Sequence, residues 1–218
     1  MNIKIILSIL AIFSATPIFS QKDSLEKSLI KDIPGWLSEY NVPCAGVGLI
    51  KNGSIKWLKV FGNLQDGHSA PVNTLFNIAS QTKPVITMLT LKLVQLHQWT
   101  LDQPLAHYWI DPNITGDTNL HKLTTRIVLS HQTGFANWRT DDSSRKLQFR
   151  FTPGSQFGYS GEGFEYLRRA LENKFQRPLQ VLLDSFLLKP LGLTNTRYWN
   201  PNLDTARFAM WHNGKGKR

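Results

Sequence analysis

Apolar residues recur along the chain with two different periods. Over residues 22–40, Leu25, Leu29, Ile33, Trp36 and Leu37 stand three or four apart, the spacing of one face of an α-helix. Pro34 lies inside that pattern and is placed to kink or interrupt it. The period then shortens. CAGVGLI (44–50) and SIKWLKVFG (54–62) read as extended strands, and the Asn52-Gly53 pair between them is the strongest short-range signal for a hairpin turn. Trp57 alternates with charged and apolar neighbours, as a strand with one half-buried face requires. Residues 63–73 read as a loop.

Helical spacing returns in FNIASQTKPVITMLTLKLVQL, which begins at Phe76. There Val85, Ile86, Met88, Leu89, Leu91, Leu93, Val94 and Leu96 predict a buried helix opened by Ser80. Over residues 100–119, Asp102, Pro104, Pro112 and Gly116 break the chain into short helices and loops. A short helix is expected over 123–130, ended by the turn His131-Gln132-Thr133-Gly134. Residues 137–153 read as a polar connection, and two more helices follow over 163–176 and 179–188. The second closes at Pro190-Leu191-Gly192, and the tail from Thr194 is irregular. Helix, hairpin, then a long helical region make an α+β chain. A two-stranded sheet is marginally stable at best, so the hairpin calls for more strands than this pattern supplies.

The first twenty residues differ from the rest. MNIKIILSILAIFSATPIFS carries Lys4, an apolar run from Ile5 to Phe13, then small residues and Pro17. This is the layout of a secretory signal peptide cleaved after Ser20, with an uncleaved anchor as the alternative. It leaves residues 21–218 as one domain, secreted or periplasmic, and no segment apolar enough for a membrane span after cleavage. Its composition, 41% hydrophobic and 18% charged, is that of a globular protein able to bury a core. The lone Cys44 cannot close an intramolecular disulfide, so stability falls to the core, where Cys44 reads as an inert thiol. A net charge of +10 favours anionic surroundings. Export and the lack of any basic run interleaved with aromatics set nucleic acid aside as a partner. His68, His97, His107, His121, His131 and His212 show no zinc-like pairing, and nothing in the pattern calls for a metal or cofactor.

Candidate chemistry begins at Ser80 and Lys83, three residues apart at the mouth of the apolar helix. At that spacing the two side chains share a helix face, with Cβ atoms roughly 5–6 Å apart. A serine hydroxyl is a weak nucleophile until a base removes its proton, and an amine serves as that base only when neutral. The pair also admits a plainer reading: Ser80 as an N-cap and Lys83 as a solvated first-turn residue. Pro84 cannot donate to the carbonyl of Ser80, so a tightened or strained first turn is expected. A second element is FTPGSQFGYSGEGFEYL (151–167), where a Pro-Gly turn leads to Tyr159-Ser160 and a helix. Tyr159 can exchange a proton with a lysine that approaches it, or simply pack under the turn.

Together FNIASQTKPVITML, IVLSHQTGF and FTPGSQFGYSGEGFEYL resemble the β-lactamase-related serine hydrolases, which include class C β-lactamases, DD-peptidases of the low-molecular-weight penicillin-binding proteins, and esterases. The S-x-x-K motif matches at Ser80 and Lys83. LSHQTGF (129–135) is similar to a leucine-rich turn in which His131 and Gly134 look structural. F-x-P-G-x-x-F-x-Y-S places Tyr159 at the second motif's tyrosine, and PLGLTNTRYW (190–199) is similar to the segment after the helical domain. The resemblance covers about residues 27–210. It implies a β-lactamase/penicillin-binding-protein-like transpeptidase fold, with the hairpin part of an incomplete antiparallel sheet. It also implies acyl transfer through a Ser80 acyl-enzyme on an amide, ester or lactam carbonyl. Lys83 and Tyr159 would move the protons, and peptidoglycan is one candidate partner beside small-molecule, peptide or ester substrates.

Two positions depart from the family pattern. Gly161 stands where an Asn amide usually contacts substrate, so either Glu162 or a water fills the gap, or substrate contact is weaker. The third motif, Lys-Thr-Gly or His-x-Gly, has no match before Arg218, so the resemblance implies a C-terminally truncated domain that turns over no substrate as given. The alternative function is a family member that has lost its chemistry and binds peptidoglycan or a peptide.

Overall fold

The structure, a computed structural model, describes residues 22–65, 68–198, 205–213 and 215. The signal peptide expected over residues 1–20 lies outside the described residues. Among those described, no helix is long and apolar enough to cross a membrane. The chain divides into two units, Met1–Thr74 with Arg207–Arg218, and Leu75–Ala206.

In the first unit, helix α1 spans Lys22–Glu39 and runs through Pro34 without interruption. Its buried stripe is narrower than expected: Ile33 is buried and Leu29 and Leu37 are half-buried, while Leu25 and Trp36 stay exposed. Strands β1 (Cys44–Lys51) and β2 (Ser54–Gln65) pair antiparallel. Asn52 and Gly53 between them both adopt positive φ, 52° and 70°, as a type I′ turn requires. The register shifts between Leu49 and Ile50, where an irregularity lies opposite Lys56. Part of the expected loop over 63–73 is instead strand. β2 continues through Gln65, and β3 (His68–Ser69) pairs with it to make a three-stranded sheet in the order β1-β2-β3.

The second unit is helical. Helix α2 spans Thr82–Gln95 and buries Ile86, Leu89, Thr90 and Leu93. The expected all-round burial does not hold, since Met88 and Leu91 are about half exposed on its other side. Residues 100–119 form short 3₁₀ turns, at Leu105–His107 and Pro112–Ile114, with a third at Thr118–His121. Asp111 and Asp117 start the last two by accepting from Asn113 N and Asn119 N. Helix α3 covers only Thr125–Leu129, because Thr124 holds the N-cap and accepts from Ile127 N.

Helix α4 spans Gly161–Phe175, two residues earlier than its pattern predicted. Ser160 supplies the reason: its Oγ accepts from Gly163 N at 3.0 Å and sets the start. Helix α5, Leu179–Leu183, passes into a π-helical turn over Asp184–Leu188, so the run expected over 179–188 is helical throughout but changes its winding. The core of this unit gathers Leu89 and Leu93 of α2, Val128 of α3, Leu167 and Leu171 of α4, and Leu182 of α5. Unit by unit, the α+β class read from the sequence is the class observed.

Candidate active site

The stretch before α2 is where local sequence and geometry first combine. Ser80 does not open the helix. It sits in a 3₁₀ turn, Ala79–Gln81, that precedes it, and the N-cap position of α2 belongs to Gln81 with no side-chain cap bond. The capping reading of Ser80 therefore fails. Pro84 lacks the N–H that would reach back to Ser80, in keeping with the tightened turn. Ala79 takes a left-handed φ of 43°, uncommon for a residue with a Cβ. Its N–H donates to Asn77 Oδ1 at 2.7 Å, a bond that holds the bend in place. Asn77 carries no signal in the sequence beyond its lying three residues before Ser80.

From this turn Ser80 Oγ is exposed and accepts a hydrogen bond from Lys83 Nζ at 3.1 Å. Lys83 is half-buried, with its amine 4.7 Å from the centre of the Tyr159 ring and 5.9 Å from that of Phe164. Hydrogen bonds with Lys83 and then Ser80 hold the Tyr159 phenol below its ordinary pKa, partly offset by burial. The three residues singled out from the sequence, far apart in the chain, are thus one cluster. A hydroxyl and an amine joined by a hydrogen bond, with a phenol beside the amine, are groups able to exchange protons.

Tyr159 is held by its backbone neighbours. Ser160 N donates to His131 Nδ1 at 3.1 Å, which fixes that nitrogen as the acceptor, and the His131 ring lies 4.4 Å from the Tyr159 ring. Burial, and then the Lys83 charge, keep the His131 pKa below its usual value, favouring this neutral acceptor form. His131 itself occupies a left-handed turn with φ 54°. Three residues on, Gly134 has φ 83°, and a Cβ there would fall 2.2 Å from Phe151 O. Only glycine fits that approach. On the far side Ser160 Oγ donates to Ala136 O at 2.8 Å, so the 131–137 loop clasps residues 158–162.

The polar connection over 137–153 hides an ionic network that its composition did not reveal. Glu162, 5% exposed, accepts from Arg139 N at 3.0 Å and from Arg139 Nε and Nη2 at 3.0 and 2.8 Å. Arg139 Nη2 also donates to the buried Asp111 at 3.0 Å. Two carboxylates raise the Arg139 pKa further, with Glu162 the larger influence. Glu162 is therefore fully engaged and does not stand in for the missing amide at Gly161. The space above Gly161 is filled by Trp138, whose Cη2 lies 2.6 Å from where a Cβ would be. Among the described residues, no group of three His, Cys, Asp or Glu is placed to hold a metal ion.

Comparison with known proteins places this chain in a family. The chain is similar to the D-alanyl-D-alanine-carboxypeptidase/endopeptidase AmpH of Escherichia coli strain K12, at 24% identity over 226 residues, covering 93% of this chain and 58% of the relative. It is similar at 24% identity to Esterase EstB of Burkholderia gladioli, over 76% of this chain and 49% of that protein. Among solved structures, the D-alanine carboxypeptidase AmpC from Burkholderia cenocepacia superposes with a TM-score of 0.74 at 20% identity, covering 89% of this chain and 56% of that one. The chain spans about half the length of the relatives it matches. A family model described as Beta-lactamase matches residues 23–218, so this chain belongs to the β-lactamase-related serine hydrolase family.

Proposed function

We propose that this chain carries the acylating half-site of a serine hydrolase, with Ser80 as nucleophile. One observation carries the proposal: Lys83 Nζ donates to Ser80 Oγ at 3.1 Å beside a Tyr159 phenol whose pKa these two residues lower. The Tyr159 phenolate takes the Ser80 proton as Oγ bonds to a carbonyl carbon. Lys83 stabilises the phenolate while it exists and orients the hydroxyl. As the tetrahedral adduct collapses, the bond from carbon to the leaving oxygen, nitrogen or sulfur breaks, and Tyr159 returns its proton to the leaving group. The acyl-Ser80 ester is then cleaved by water, which passes one proton to Tyr159 and on to Ser80 Oγ. Substrates are esters, lactams or acylated peptides. The printed activities of the relatives, a carboxypeptidase/endopeptidase and an esterase, fit this class. The leader of residues 1–20 would place the site outside the cytoplasm, where peptidoglycan is one such peptide.

The test is covalent labelling with a fluorophosphonate, which reads acylation competence without requiring turnover. Mass spectrometry of the labelled chain is expected to find a single adduct, on the peptide containing Ser80, and none in Ser80→Ala. An adduct on another serine, or undiminished labelling in Ser80→Ala, would overturn the assignment. Absence of any adduct would instead favour a family member that binds without reacting.

A further inference from the structure

Trp138 is 46% exposed, a large apolar surface to leave in water, yet it is held from both sides. Before it, Asn137 O accepts from Gly161 N and Glu162 N, both at 3.0 Å, and Asn137 Oδ1 accepts from Gly161 N at 3.0 Å. At Trp138 itself, the backbone N–H donates to Asp141 Oδ2 at 2.9 Å. After it, Arg139 is locked to Glu162 and Asp111. The indole lies directly on Gly161, with Cη2, Cζ2 and Cε2 within 2.6–3.0 Å of the position a Cβ would take. Any larger residue at 161 would displace the ring.

The backbone at Ser160 decides which way this ring faces. Ser160 is extended, φ −140° and ψ 119°, so the side-chain directions of residues 159 and 161 fall on one side and that of 160 on the other. Ser160 points inward, fully buried, to Ala136 O. Tyr159 points to Lys83 and Ser80. The indole covering Gly161 therefore stands on the side that Tyr159 takes, with residue 161 about 7 Å along the extended backbone from residue 159. A half-exposed aromatic face on the side of the chain that Tyr159 takes offers a flat apolar wall and little hydrogen bonding. Such fixed aromatic surfaces are typical anchors for ligand rings.

We infer that Trp138, seated on Gly161, is a specificity-determining residue that selects carbonyl substrates bearing an aromatic ring next to the reacting carbonyl. The inference rests on Ser80 as the nucleophile and names the substrate class of that site. In the acylation step Tyr159 takes the Ser80 proton, the bond from Ser80 Oγ to the acyl carbon forms, the C–S bond of a thioester probe breaks, and the sulfur takes that proton from Tyr159 and leaves as the thiol.

Two probe pairs read the selection through acyl-Ser80 formation by mass spectrometry. S-ethyl phenylthioacetate against S-ethyl thioacetate places the ring on the acyl side. S-phenyl thioacetate against S-ethyl thioacetate places it on the leaving side. The rate ratio within a pair, compared between the unsubstituted chain and its variants, cancels intrinsic reactivity. Trp138→Ala is expected to lower the preference for the ring-bearing probe about tenfold in at least one pair, the scale of one aromatic contact with its buried area. Trp138→Phe should retain most of that preference. Gly161→Ala keeps Trp138 but pushes the indole aside, and is expected to lose the preference as Trp138→Ala does. Circular dichroism identifies any variant that has not folded, and either folded variant suffices. Unchanged ratios in both pairs, with adducts still forming on Ser80, overturn the selectivity role alone. If the unsubstituted chain forms no acyl-Ser80 adduct with any probe, the hydrolase reading falls and this inference falls with it.

Discussion

The sheet unit and the helical unit answer the same physical problem differently. In the sheet unit a type I′ turn at Asn52-Gly53 sets the register locally, yet much apolar surface stays in water: Ile50 and Ile55 are each 69% exposed and Leu58 53%. Trp57 is buried there with its Nε1 unpartnered among the described residues. In the helical unit Leu89, Leu93, Leu105 and Leu167 have no exposure at all. Its buried polar groups are paired, Thr90 to Ile86 O, Thr125 to Trp99 Nε1, and Ser160 and Glu162 as described above. A turn can specify a hairpin without covering it. Holding a hydroxyl, an amine and a phenol in register takes a close-packed frame, and the candidate site lies where that frame is.

Truncating one side chain in each unit gives the sharpest test of this contrast. Leu89→Ala empties a fully buried position in α2 and is expected to cost about 2–5 kcal/mol. Ile55→Ala, at a position already exposed to solvent, should change stability by about 0.5 kcal/mol or less. Chemical denaturation measures both. Equal losses would mean that the hairpin's apolar face is covered in solution.

A smaller effect is expected from the ionic frame beneath the site. Glu162→Ala leaves Arg139 with Asp111 as its remaining carboxylate partner. Hydrogen bonds to charged groups contribute about 1.5–3 kcal/mol, and because Arg139 is partly solvated and keeps Asp111 the low end applies. Thermal unfolding gives the loss, and the fluorophosphonate labelling rate should fall with it because Glu162 also anchors the start of α4. A melting temperature unchanged in Glu162→Ala would show that the network adds nothing to the frame.

The smallest effect is a shift in one titration. Lys83 and Ser80 favour the Tyr159 phenolate, so its pKa lies below the ordinary value of about 10. The anion, and whatever stability it adds, is therefore present at high pH and is lost as pH falls through the lowered pKa. Ultraviolet difference titration against Tyr159→Phe should find this phenol ionising before an ordinary tyrosine. Lys83→Met should move it upward. An unmoved midpoint in Lys83→Met would remove the lysine's influence on the phenol.

Legibility of the site followed the range of the forces involved. Ser80 and Lys83 were readable because three-residue spacing near a helix start is a local relation. Tyr159 was readable through a motif on a Pro-Gly loop. Asn77, which fixes the strained Ala79, and the Arg139–Glu162–Asp111 network were not, because a short polar residue or a charge in a polar stretch looks the same whether solvated or paired. The start of α4 shifted for a similar reason: the glycines at 161 and 163 gave no helical signal, and the Ser160 cap set the boundary.

By itself the sequence determined the α+β order, the hairpin and its turn, the burial of Leu89 and Leu93, and the three candidate reacting residues. These depend on periodicity, turn chemistry and spacing, which are properties of neighbouring residues. Tertiary structure decided that Ser80 is not a cap, that Met88 and Leu91 lie outside the core, that β3 extends the hairpin, and that Glu162 is spent on Arg139. It also decided that the indole of Trp138 covers Gly161. Each of those outcomes depends on which distant group arrives within a few ångströms, and in folding that is settled by packing between elements.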